Sequence, residues 1–354
     1  MAVPVTLENV RNVLADILQP AQVPEVKEAG GRVTVHVAAD VPTAEKMRFA
    51  EEVKRRVKTL KAVTDVLVTY VKPAAAEAPE PVNPLRGVRR VVAVGAGKGG
   101  VGKSTVAVNL AVALAGLGHR AGLLDADIYG PSAAIMTGTQ EHHAQADAQR
   151  RVVPARRHGI DIVSIAFLMP PDQAAGVVWR GPMVGKMVEQ LLTGVAWGEL
   201  DYLIVDLPPG TGDAAISLAQ RVPLSGAVVV TTPQDVALLD VMKAMSMFQQ
   251  LKVPLVGVVE NMAGFTCRHC GKTTPIFLEG AGRRGADRFG VPLLATLPLD
   301  ERIPPGGDAG RPVVVEEPES VSAKAFRELA KAVVARLDAL SGDARPGEID
   351  IAWR

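Results

Sequence analysis

Short, unbroken apolar runs recur through the second part of the chain. Arg90–Val94, Arg120–Leu124, Ile160–Phe167, Leu200–Asp206, Ala227–Thr231 and Leu255–Val259 have strand length and little alternation. That pattern predicts strands buried on both faces, as in a parallel sheet. Helix-length segments lie between or after them. Val106–Leu117 is apolar all round and predicts a buried helix. Asp235–Leu251 predicts another, with Met242, Met245 and Met247 as core filler. Val321–Leu340 carries Val321, Ala325, Leu329, Val333 and Leu337 on one stripe and is expected to pack on the sheet. Strand and helix in alternation predict an α/β fold, doubly wound around a mostly parallel sheet.

The first 71 residues follow a different rhythm and are expected to form a separate small α+β domain. Val10, Val13, Leu14 and Ile17 recur at helical spacing, and Pro20 follows to end the helix. Arg32–Val37 alternates as a strand, with His36 read as packed or solvated. Thr43–Leu60 reads as a charged amphipathic helix with Met47, Ala50, Val53 and Val57 on its apolar stripe, and Val63–Val71 as a second strand. Residues 72–87 are rich in Pro, Ala and Glu and predict a semi-rigid linker. The large domain is expected over 88–341, with a polar tail at 342–354. Within it, Thr137–Gly159 is polar and reads as a surface excursion, with His142 and His143 solvated.

Composition narrows the classes. A formal net charge of +1 favours neither nucleic acid nor an anionic membrane. No apolar run reaches the length of a membrane span, and the N-terminus lacks a signal-peptide pattern, so a cytoplasmic location is expected. With only 2 cysteines, a disulfide framework is excluded.

The chemistry begins at Gly97-Lys98-Gly99-Gly100-Val101-Gly102-Lys103-Ser104-Thr105. A Gly, four free positions and then Gly-Lys-Ser is the phosphate-binding pattern, here between a predicted strand and a predicted helix. Glycines let backbone N–H groups converge on phosphate oxygens. Lys103 brings charge to the β and γ phosphates, and the Ser104 hydroxyl suits Mg²⁺. The helix N-terminus points at the same anion. Asp125 and Asp127 end the next apolar run, at the carboxyl edge where ligands bind in open α/β sheets. Asp127 is expected to hold or activate the attacking water, and Asp125 to sit near the metal. Asp206 ends a further buried run in the position that contacts Mg²⁺. Leu207-Pro208-Pro209-Gly210-Thr211-Gly212-Asp213 then reads as a switch loop responsive to the γ-phosphate.

Cys267 and Cys270 form a lone Cys-x-x-Cys. Two thiolates are half of what a closed zinc site or a [4Fe–4S] cluster takes. The other pair must come from a second copy across a two-fold axis. An iron–sulfur cluster, zinc and a redox-active dithiol all fit this spacing.

Lys98 is not required by the basic pattern. It marks the deviant P-loop ATPases, and that resemblance implies a homodimer in which Lys98 reaches the nucleotide of the facing subunit. With Asp125-Ala126-Asp127-Ile128-Tyr129-Gly130-Pro131-Ser132, the Leu-Pro-Pro-Gly-Thr-Gly-Asp loop, and Asn261-Met262-Ala263-Gly264-Phe265 ahead of Cys267 and Cys270, the chain resembles the Mrp/ApbC-type iron–sulfur cluster carriers over about residues 88–340. The resemblance implies ATP-dependent assembly or transfer of a [4Fe–4S] cluster held by Cys267 and Cys270 of two subunits. It also implies slow hydrolysis by Lys98, Lys103, Asp127 and Asp206 with Mg²⁺. Asn261 would contact adenine, with Pro298 and Asp300 on the adenine side. Val178–Met183 would lie at the dimer face. Scaffold proteins and apo iron–sulfur acceptors would be the partners. The N-terminal domain resembles one found ahead of such ATPases, but Gln19-Pro20-Ala21 replaces the usual Asp-Pro-Glu and the domain has no cysteine, so docking is its expected role. A partition- or septum-type positioning ATPase and a zinc-bridged dimeric regulator are the competing readings.

Overall fold

The computed structural model divides the chain into two units, residues 1–82 and 83–354. It describes residues 5–18, 23, 25–37, 46–60, 63–70, 85, 87–128, 130–168, 187, 191, 194–267, 269–270, 272–277 and 280–342.

In the first unit, α1 (Leu7–Leu14) begins where Thr6 Oγ1 accepts the Asn9 N–H at 3.3 Å, an N-cap. Strands β1 (Glu25–Ala29) and β2 (Arg32–Val37) form an antiparallel hairpin. Its turn, Gly30-Gly31, has φ of 59° and 83°, which glycine adopts without penalty. After α2 (Lys46–Val57), β3 (Asp65–Tyr70) pairs parallel with β2. Val10, Leu14, Val33, Val35, Val37, Val53 and Val57 form the core. Strand β1 was not anticipated: almost none of it is buried, so it has no apolar alternation to read. His36 is half-buried, 3.8 Å from Glu25. Gln19-Pro20-Ala21 and most of the linker lie outside the described residues.

The second unit contains β4 (Val91–Gly95), α3 (Lys103–Gly116), β5 (Ala121–Asp125), α4 (Ala133–Met136), β6 (Gln145–Ala146), β7 (Val152–Val153), β8 (Ala155–Arg157) and β9 (Ile160–Ser164). After a 3₁₀ turn come β10 (Tyr202–Asp206), α5 (Asp213–Arg221), β11 (Gly226–Thr231), α6 (Asp235–Gln250), β12 (Leu255–Glu260) and the short strands β13 (Phe265–Thr266) and β14 (Thr273–Thr274). The described chain ends with α7 (Ala281–Phe289), β15 (Leu293–Thr296), α8 (Ile303–Asp308), α9 (Val313–Glu316) and α10 (Val321–Gly342).

Eight strands form one sheet in the order β15-β12-β11-β4-β10-β5-β9-β8. Every neighbouring pair is parallel except β8 with β9. One apolar layer packs Leu110, Leu114, Phe326, Leu329 and Val333 from α3 and α10 against one face. Leu218, Met245 and Phe248 from α5 and α6 cover the other. The doubly wound α/β expectation is therefore met. Strand β4 lies centrally, and Asp206 pairs with both Val94 and Asp125. That register brings the carboxyl ends of three strands side by side.

One local reading gains detail and two change. Residues 137–159 contain the β6–β7 hairpin and the antiparallel edge strand β8. His142 is not solvated: its ring stands edge-on to Phe167 at 5.0 Å and its Nε2 is buried. Val321 is 52% exposed, because it starts α10 before the helix reaches the sheet. The string Val178–Met183 and residues 343–354 lie outside the described residues. Among the described residues, no helix is long and apolar enough to cross a membrane.

Candidate nucleotide and thiol sites

The loop after β4 wraps the N-terminus of α3. Gly102, the residue before the helix, has φ 79°, and Gly100 has φ 78°. Gly97 is glycine for a different reason: a Cβ there would collide with the backbone carbonyl of Asp240 in α6. The loop opens onto a cleft of about 230 Å³ lined by Lys98, Lys103, Ser104, Thr105, Asp127 and Pro209, among others. A larger cleft, about 450 Å³, lies near Lys252, Leu255 and Arg336 at the opposite edge of the sheet, away from this chemistry.

Lys103 is only 6% exposed. Its Nζ lies 2.6 Å from Asp206 Oδ1, 3.4 Å from Asp127 Oδ2 and 3.3 Å from Ser104 Oγ. The side chain thus joins α3 to the ends of β10 and β5. Asp206 is fully buried, and its Oδ2 has no hydrogen-bond partner among the described residues. Burial pushes its carboxyl above the usual range, opposed by Lys103. A buried, unmatched carboxylate oxygen beside a serine hydroxyl fits the hard oxygen donor set that Mg²⁺ takes. Lys98 lines the cleft half-exposed, with no ion pair among the described residues.

Asp125 organises the next loop. Its Oδ1 accepts the Asp127 N–H at 3.2 Å, and its Oδ2 accepts the Ala133 N–H at 3.1 Å and the Ser164 hydroxyl at 3.0 Å. Burial, then the neighbouring Asp206, push its carboxyl up to about 7. The sequence reading put Asp125 near the metal but missed Ser164, whose strand-end position gives no local signal. Ser132 and Met136 also line the cleft and were missed. Ser132 closes the acidic string and was within reach of the sequence, whereas Met136 was not. The proline loop is tied to the phosphate loop's base: Leu207 N donates to Val94 O at 3.1 Å, and Gly210 N to Ala96 O at 2.9 Å.

The cysteines sit on the β13–β14 hairpin, where Cys267 N donates to Lys272 O at 3.0 Å. The backbone N–H groups of Cys270 and His269, and then the Cys270 thiol, hold the Cys267 thiol below its ordinary range. Cys270 is exposed. Among the described residues, no cluster of three or more metal-ligating side chains is found.

Residues 87–334 match the family model described as ParA, NUBPL iron-transfer P-loop NTPase. The chain belongs to this family. A protein of Aquifex aeolicus (strain VF5) called iron-sulfur cluster carrier protein is 49% identical over 245 residues, 69% of this chain and 67% of that one. A protein of the same name from Synechocystis is 43% identical over 341 residues, 91% of this chain and 96% of its own. The solved structure of a nucleotide-binding protein in complex with ADP from Archaeoglobus fulgidus is 38% identical with a TM-score of 0.60, covering 69% of this chain and 94% of that one.

In this member of the NUBPL family, two of the three residues expected near adenine make contacts within the chain. Asn261 is buried, and its Nδ2 donates to Val101 O in the phosphate loop at 2.9 Å. Pro298 is half-buried. Asp300 is buried with its carboxylate turned to Arg302, at 2.8 and 2.7 Å, and to the Ser322 hydroxyl at 2.5 Å. Against the cost of burial, Arg302 and Ser322 hold that carboxyl below its ordinary range. None of the three lines the cleft.

Proposed function

We propose that this NTPase binds a [4Fe–4S] cluster between two copies of the chain and transfers it to apo-proteins, with ATP binding and slow hydrolysis acting on the same dimer. One observation carries the reading. The only two thiols of the chain lie on one hairpin, with backbone N–H groups favouring the thiolate at Cys267. A pair of thiolates needs a second pair to close a cluster, and a second copy supplies it. The relatives' shared name supports the carrier reading, and the ADP-bound neighbour supports the nucleotide site.

ATP is the substrate at the phosphate loop. N–H groups from Gly99 to Thr105 and the Lys103 ammonium hold its phosphates. Ser104 and Asp206 would hold Mg²⁺, which when bound neutralises charge on the β and γ phosphate oxygens. Asp127 orients water at the γ-phosphate, and Lys98 meets developing charge from across the dimer. Asn261 Oδ1 is the acceptor left for an adenine amine, Pro298 flanks the base, and Asp300 supports that side through Arg302. Scaffold proteins load the cluster, apo iron–sulfur proteins receive it, and the setting is cytoplasmic.

Anaerobic reconstitution with iron and sulfide tests this. The expected result is a dimer with one cluster, a broad visible charge-transfer band, and activation of an apo [4Fe–4S] enzyme. Zinc alone at the thiols, or a strictly monomeric protein without bound iron, would refute it.

A further inference from the structure

The bond between Asn261 and Val101 joins the phosphate loop to the segment that carries the cysteines. We propose that Asn261 is a positioning residue through which the phosphate loop sets the geometry of the cysteine hairpin. The inference rests on the reading above, and it names how the two sites of that reading communicate.

The peptide between Val101 and Gly102 is one rigid plane. Its N–H belongs to the loop that cradles phosphate. Its carbonyl accepts the Asn261 side chain at 2.9 Å. An anion that turns this N–H therefore turns the carbonyl as well. Donation from the N–H also polarises the carbonyl and strengthens the bond that it accepts. Nothing separates the two groups: a Cβ on Gly102 would strike Asn261 Nδ2.

Asn261 has little freedom to absorb such a motion locally. It is 6% exposed, and its own N–H donates to Thr231 O at 2.7 Å. The next residue, Met262, has φ 58°, a left-handed conformation that costs a side-chain-bearing residue about 1–2 kcal/mol. Strained positions of this kind persist where the surroundings over-determine them. From there every step toward the thiols is tied. Ala263 N donates to Leu297 O at 2.9 Å, and Leu299 N donates to Gly264 O at 2.7 Å. Phe265 bridges to Leu299 and pairs with Thr274. Thr266 and Thr273 share a hydroxyl contact of 3.1 Å, and Cys267 N closes onto Lys272 O. Six residues thus lead from a phosphate-loop carbonyl to a thiol, with backbone bonds along the way.

Two measurements on the full chain test this. In the reduced, cluster-free wild type, hydrogen exchange over residues 262–272 is expected to change when ADP and Mg²⁺ are added. Unchanged exchange there, with ADP bound, overturns the proposal without touching the cluster assignment. In the reconstituted protein, an iron chelator is expected to strip iron at rates that differ by roughly fivefold or more between nucleotide-free and ATP-saturated wild type. In Asn261→Ala, at saturating nucleotide, that ratio is expected to collapse toward one. A ratio kept in the variant overturns the proposal, as does a variant that binds no nucleotide at any concentration, since Asn261 would then serve the nucleotide site alone. A wild type that takes up no iron or no nucleotide refutes the functional reading itself, and this inference with it.

Discussion

Lys103 Nζ lies 2.6 Å from Asp206 Oδ1, both in the protein's interior. The pair bridges the start of α3 and the end of β10, so it holds the fold as well as the site. Removing one member of a buried pair leaves the other charge uncompensated. Lys103→Met is expected to lower the stability of the nucleotide-free protein by about 3–5 kcal/mol. Adding Asp206→Asn is expected to recover most of that loss, while ATP hydrolysis stays at background in both variants. Urea denaturation of the single and double variants, run beside an ATPase assay, measures both. A double variant no more stable than the single one would break the claim that the pair is coupled.

Much of this site was legible because its parts are local in sequence. The string from Gly97 to Thr105 dictates its own loop geometry, and buried apolar runs ending in Asp125 and Asp206 mark the carboxyl edge of the sheet. What the sequence could not deliver was anything set by register between distant strands. Ser164 reaches Asp125 only because β9 pairs with β5. The resemblance implies that Asn261 contacts adenine, but nothing in its own segment signals that its amide also donates to Val101, 160 residues earlier. Strand β1 was missed because its side chains face solvent and offer no apolar period. His142 looked solvated beside His143, and only the return of the chain at Phe167 gives it a partner.

Asp125 makes the stability of the apo protein depend on pH. Its carboxyl is pushed from 3.8 up to about 7, first by burial and then by Asp206. Between these values the native state retains a proton that the unfolded chain has released. The unfolded state then binds fewer protons, so stability falls as pH rises across this window and levels off above it. Denaturation of nucleotide-free wild type from pH 4.5 to 8 is expected to contain this downward contribution, and Asp125→Asn to lack it. Identical slopes in the two proteins would count against a protonated Asp125.

Two glycines of α3 and its cap are expected to respond in opposite directions. Gly102 has φ 79°, and a methyl there meets Asn261. Gly102→Ala is expected to cost about 1–2 kcal/mol from backbone conformation, with more from displacing Asn261. Gly116 ends the same helix, exposed, with nothing within 4 Å of an added Cβ. Gly116→Ala is expected to stabilise by about 0.5–1 kcal/mol, since alanine loses less chain entropy on folding. Thermal unfolding of both variants reads the sign directly. Two shifts of the same sign would contradict the geometry of the loop.

The two thiols differ in a way that exposure alone does not suggest. Cys270 is the more exposed, so accessibility would make it the faster to react. Cys267, however, faces the N–H groups of Cys270 and His269, which favour its thiolate. Because the thiolate is the reactive form, iodoacetamide at neutral pH is expected to label Cys267 ahead of Cys270 in the metal-free protein. Part of this advantage comes from the Cys270 thiol itself, so Cys270→Ser is expected to slow labelling at Cys267 only modestly, the backbone donors remaining. Peptide mass spectrometry over a time course gives the order. If Cys270 is modified as fast as Cys267 or faster, the hairpin does not prepare a thiolate, and preparing the first ligand would fall to the incoming iron.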